Sequence, residues 1–198
     1  MRWILACAIG EAIGIAVVSL GYALGDRVFP EITAWLIIAA GAIEGLSLGA
    51  AQAAAGRKWG IRAAPWIAAT VFAALAGYGL SLVGQGAFSG GEAVPQADEP
   101  SGFLSAAAGA VLGAFMGLLF GAAQSLVLPV GLSRRGWIIR NMIGWTLAMA
   151  AIMVAASAAG ADWPFWRVSA LGAVSGALAG LALGVATRGA LQERRIAG

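Results

Sequence analysis

Two acids stand inside long apolar runs: Glu11 in AIGEAIGIAVV and Glu44 in AAGAIEGLSLGAAQ. Glu11 lies eight residues past Trp3, about 12 Å along a helix that rises 1.5 Å per residue. Glu44 lies eleven residues past Thr33, about 16 Å along a helix running the other way. In a hydrocarbon core about 30 Å thick, both fall near the midplane. No basic residue stands at that depth. A bare carboxylate there costs several kcal/mol, so a proton, a cation or a donor must compensate it. Three chemistries follow. The two carboxyls share a hydrogen bond that locks the chain locally, or they take up a proton or cation during transport, or they face a ligand or a partner subunit.

Other polar residues inside the apolar runs are few. Gln52 and Gln124 occupy matching positions and are expected to hydrogen-bond across helices or meet headgroups; Asn141 is expected to cap or bridge helices. Arg140 can snorkel to the membrane surface. Trp145 reads as a packing residue and the single cysteine, Cys7, as a buried free thiol rather than a lipid-attachment site. The chain has no histidine. The usual zinc, haem and iron–sulfur ligand sets are therefore not expected, and neither is a resident cofactor. HExxH, GxSxG with a partner histidine, the P-loop and a dinucleotide fingerprint after a strand are all missing, so no enzyme and no catalytic residue is predicted.

The elements that would hold these residues follow from composition. The 198 residues are 61% hydrophobic and 11% charged, against roughly 25% charged in a soluble domain. Apolar runs long enough to span a bilayer occur at about 3–24, 32–55, 64–84, 103–128, 137–159 and 165–187, leaving no room for a soluble domain. If sides alternate, Arg2, Arg57, Lys58, Arg62, Arg134, Arg135, Arg140, Arg188, Arg194 and Arg195 share one side, ten of the twelve basic residues. By the positive-inside rule both termini are cytoplasmic and the acidic segment with Glu92, Asp98 and Glu99 is external. The net charge of +3 reflects this placement and does not point to nucleic acid.

All six prolines fall in loops or at helix ends, as their missing N–H requires. Seven of the eight tryptophans, all but Trp145, lie near a span boundary, where an indole is expected to seek the headgroups. The first span is read as a retained helix rather than a cleaved signal.

The apolar runs repeat. GAIEGLSLGAAQ (41–52) recurs as GAFMGLLFGAAQ (113–124) and, through its glycines, as GAVSGALAGLAL (172–183). On that alignment Met116 and Ser175 take the place of Glu44, and Leu183 takes the place of the glutamines. Each ladder follows a helix that opens with a tryptophan: Trp3, Trp66 or Trp137. The unit is a hairpin used three times, about 1–61, 62–135 and 136–198, always in the same orientation. Gly41, Gly45 and Gly49, then Gly109, Gly113, Gly117 and Gly121, then Gly172, Gly176, Gly180 and Gly184 each align along one helix face. In lipid such faces drive association by close backbone approach. They are expected to pack within the chain, with any uncovered ladder docking a partner helix, a lipid or a flat apolar ligand. The predicted fold is all-α: one domain of six transmembrane helices, arranged as three parallel hairpins about a pseudo-threefold axis.

GAAQSLVL (121–128) followed by RRGWIIRNMIGW (134–145) resembles uncharacterised bacterial multi-pass membrane proteins built from glycine-ladder hairpins, a resemblance that covers most of the chain and implies a fold but no activity. Size, six spans and cytoplasmic termini are also similar to the substrate-binding subunits of vitamin-uptake transporters, whose first-helix AxxxA pattern could be matched by Ala8, Ala12 and Ala16. The expected function is a non-catalytic accessory or scaffold subunit of a bacterial cytoplasmic membrane, packing against lipids and other integral membrane proteins. The alternative is a small proton- or cation-coupled transporter or channel, or a substrate-binding subunit, that uses Glu11 and Glu44.

Overall fold

The computed structural model describes residues 1–88 and 102–192. Six helices account for most of them: α1 (Arg2–Arg27), α2 (Thr33–Gly56), α3 (Ala63–Phe88), α4 (Gly102–Ser125), α5 (Arg134–Ser157) and α6 (Phe165–Gln192). Single 3₁₀ turns, Pro30–Ile32 and Arg57–Trp59, precede α2 and follow it, and no strand occurs among the described residues. All six helices are long and apolar enough to cross a membrane, so the chain is a multi-pass membrane protein. The acidic segment expected to be external and the Arg194–Arg195 tail lie outside the described residues.

Local chemistry sets the helix ends. Ser133 caps α5, its Oγ accepting from Gly136 N at 3.0 Å, so the helix begins at Arg134, three residues before the expected Trp137. α4 stops at Ser125, three residues short of expectation, in a turn where Val127 N bonds Gln124 O ahead of Pro129. Pro65 sits in the first turn of α3, where no intrahelical donor is needed. Gly60 and Gly131 adopt φ of 85° and 88° in the α2–α3 and α4–α5 connections, a left-handed conformation that favours glycine.

The helices form a closed ring. Each packs on its neighbours in sequence, and α6 closes on α1. The α4–α5 and α6–α1 seams are the most extensive, while α3 and α4 touch least. Large apolar side chains such as Leu5, Ile9, Phe72, Val111 and Leu147 face outward, as a lipid-facing surface requires.

Every ladder glycine lies against a helix of the same chain. Gly41, Gly45 and Gly49 meet Tyr78, Val71 and Ile67 of α3. Gly109, Gly113, Gly117 and Gly121 meet Met149, Trp145, Met142 and Ile138 of α5. Gly172, Gly176, Gly180 and Gly184 meet Ser19, Glu11, Cys7 and Ile4 of α1. A methyl group on Gly117 would lie 2.5 Å from Met142 Cα and 2.6 Å from Asn141 O, a distance no packed pair tolerates. The ladders thus pack within the chain as expected, and all three faces are covered, so none is left open to dock a partner or ligand.

Candidate functional site

The site has two storeys, a sealed aromatic end and a cavity above it. At the sealed end Trp3, Trp66 and Trp137 are fully buried and meet edge to face, with centroids 6.4, 6.0 and 5.4 Å apart. Trp59 adds a fourth edge against Trp3 at 6.0 Å. All four were expected near the headgroups. Instead the ring interior holds Trp3, Trp66 and Trp137, because each of their indole N–H groups finds a buried acceptor. Trp3 Nε1 donates to Thr187 Oγ1 at 2.9 Å, Trp66 Nε1 to Gln52 Oε1 at 3.0 Å and Trp137 Nε1 to Gln124 Oε1 at 3.2 Å. Trp35 and Trp166 do stay exposed at 74% and 72%.

Gln124 Nε2 also donates to Gln52 Oε1 at 3.1 Å and to Thr70 Oγ1 at 3.0 Å, and Gln52 Nε2 reaches Cys7 Sγ at 3.6 Å. The two glutamines therefore tie five helices together, α1 to α5. Asn141 does not bridge helices as expected. Its Nδ2 donates back to Trp137 O at 3.0 Å within α5, because the side chain lies beside its own helix and against Gly121. Arg140 stays half-buried and reaches Ala186 O at 3.5 Å.

These contacts set a repeat register. Gly45, Gly117 and Gly180 lie against Val71, Met142 and Ala8, each five residues past its tryptophan. Gly49, Gly121 and Gly184 lie against Ile67, Ile138 and Ile4, each one residue past it. Thr187 therefore corresponds to Gln52 and Gln124, not Leu183, and Ala179 rather than Ser175 stands level with Glu44. The expected alignment of the third ladder is off by four residues. A slip of one glycine period leaves the ladder pattern unchanged, so the tryptophan bond decides it.

The cavity, of about 410 Å³, lies beyond the sealed end, among α1 to α5. Glu44, Met116 and Trp145 line it nearest the tryptophans, and Tyr22, Ser81 and Ala156 line it nearest the opposite helix ends. Met149, Met153, Ile152, Ile15 and Val18 supply apolar wall. A smaller space of about 120 Å³ between α1, α5 and α6 shares Ser19, Ile152 and Ala156 with it.

One seam creates this space. Gly113 and Gly176 each meet the backbone carbonyl of the facing helix, of Trp145 and of Glu11. At the equivalent Gly41 the nearest atoms all belong to the ring of Tyr78. A tyrosine ring thus replaces backbone contact at the outermost glycine of the α2–α3 seam. The Tyr78 hydroxyl donates to Glu44 Oε2, and Gly14 leaves room for the Glu44 side chain, with a methyl there only 2.6 Å from Cγ.

Glu11 is 1% exposed and neither carboxyl oxygen has a hydrogen-bond partner. Ile15, one turn further along the same face of α1, lines the cavity, so Glu11 lies just beneath its floor. The expected lock through a shared Glu11–Glu44 hydrogen bond is therefore corrected: Glu44 bonds Tyr78 and Glu11 bonds nothing. Trp145 stacks on Phe120 at 4.7 Å and 30°, and its Nε1 is also buried without a partner. Among the described residues no group of three or more acids, cysteines or histidines could hold a metal.

Sequence reasoning found both acids and both glutamines but missed Tyr78, Thr70, Thr187 and the burial of the three tryptophans. A signal was present. WILAC (3–7), WIAAT (66–70) and WIIRN (137–141) repeat the tryptophan with a small or polar side chain one turn later, where the buried network forms.

Comparison with protein-family models, curated proteins and solved structures returned no match.

Proposed function

We propose that this chain is a non-enzymatic membrane protein that binds a small molecule in the Glu44 cavity, acting as a small carrier or as the membrane-embedded binding subunit of one. The observation that carries this reading is the cavity itself. Its 410 Å³ falls within the usual range for small-molecule sites. It is mostly apolar, it has a few convergent polar groups, and it ends beside an acid in the middle of the membrane. Buried intramembrane acids that no basic residue neutralises are costly to keep and mark binding or transport paths. The hydrogen-bonded indoles at the other end disfavour an open channel.

Three parallel hairpins about a pseudo-threefold axis are the arrangement we infer. In support, each ladder helix packs on the tryptophan-led helix of the following hairpin, and the last ladder returns to the first. The placement of basic residues supports cytoplasmic termini in a bacterial inner membrane, with the cavity facing outward.

The test is gentle purification of the full chain followed by mass spectrometry of what it retains. A small molecule retained by the wild type and lost from Ile152→Trp, which fills the cavity away from Glu44, supports the binding reading. Stoichiometric membrane partners with no small molecule would overturn it in favour of an accessory or scaffold subunit.

A further inference from the structure

Resting on the binding reading above, we propose that the cavity selects an organic cation: a protonated or quaternary amine carried on an apolar, ring-sized body. Three features converge on this class. The cavity wall holds a carboxyl group, Glu44, and no basic side chain, so nothing in the wall opposes a positive charge. A second carboxyl, Glu11, lies beneath the floor with both oxygens buried and without a hydrogen-bond partner. The wall around the acid is aromatic and sulfur-rich: Tyr78, Trp145 and Met116 border it, with Met149 further out. An aromatic face attracts a cation electrostatically, most strongly where water is excluded. Methionine side chains adapt to bodies of varied shape. An anion would meet two acids and no base. A neutral apolar molecule would bury Glu44 without compensating it.

Among the described residues α3 and α4 make the sparsest seam of the ring, and both line the cavity, through Gly77 and Ser81 on one side and Leu112 on the other, so a lipid-soluble cation would enter there from the bilayer.

The experiment compares benzyltrimethylammonium with neopentylbenzene, which has the same shape and no charge, by thermal stabilisation of the purified full-length protein. The cation is expected to bind about tenfold or more tightly, a difference of about 1.4 kcal/mol. Glu44→Gln keeps an acceptor for Tyr78 and is expected to abolish that preference. Equal binding of both probes overturns the cation assignment and leaves the cavity reading intact. If neither probe binds and the protein also retains no small molecule, both readings fall. The wild-type comparison needs no variant, so a poorly folding Glu44→Gln does not blunt the test.

Discussion

Replacing Gln124 with leucine removes one side chain from the centre of the sealed end at nearly constant volume. Three hydrogen bonds go with it: from Trp137 Nε1 at 3.2 Å, and to Gln52 and Thr70 at 3.1 and 3.0 Å. Interhelical hydrogen bonds inside membranes average about 0.6 kcal/mol each, so their loss amounts to roughly 2 kcal/mol. The larger effect is what stays behind. Trp137 is fully buried, and its N–H would have no acceptor, at about 1–3 kcal/mol. The expected destabilisation is therefore roughly 3–5 kcal/mol. Unfolding in a mixed detergent titration, followed by tryptophan fluorescence, measures it. The double variant Gln124→Leu with Trp137→Phe removes donor and acceptor together, and it should recover part of the loss despite the smaller ring. If Gln124→Leu is as stable as the wild type, or the second change only adds to the damage, the indole bonds do not hold that end of the ring closed.

A methyl on Gly180 would lie only 2.6 Å from Ala8 Cα, whereas Gly79 has open space around it, so Gly180→Leu should prevent a stable fold while Gly79→Leu purifies normally; size-exclusion profiles distinguish them. Gly41→Val should push the Tyr78 ring off Glu44 and reduce ligand retention while the sealed end keeps its stability, read by mass spectrometry and thermal melting of the same sample. Cys7 is wholly buried, so a maleimide should label it only after the protein is unfolded in dodecyl sulfate. Trp35→Ala, at an exposed position, should change stability by no more than about 0.5 kcal/mol, whereas Trp3→Ala should cost about 3–5 kcal/mol by unfolding titration.

Much of the architecture was legible because lipid leaves the backbone few choices. The six helices follow from apolar run length, and their ends were missed by up to five residues, as where α6 runs on to Gln192, at the Ser133 cap and at the turn before Pro129. The glycine ladders announced close packing but not its partner. Small residues occur on every span, and a helical period carries no label for the helix it meets. The ladder also repeats every four residues, which hid the shift that puts Thr187 beside Trp3. The acids could be placed by depth. Their separation into one that bonds Tyr78 and one that bonds nothing depends on side-chain direction, which depth does not specify. Tyr78 itself reads as an ordinary boundary aromatic until the ring geometry sets it over Gly41.

The bond from Trp3 to Thr187 joins residues 184 positions apart. During synthesis, α1 enters the bilayer first and its partner face arrives last. Until α6 follows, Ile4, Cys7, Glu11 and Ile15 have no glycine face to lie against, and the Trp3 indole has no threonine to accept from it. Membrane insertion therefore leaves the first helix waiting through the entry of four others, with its backbone at Glu11 and the polar N–H of Trp3 uncovered. A chain interrupted before its last helix would hold an incomplete ring with that surface open. Quality-control machinery that senses polar groups within the bilayer would have a specific feature to recognise, and one that disappears only when the final seam is made.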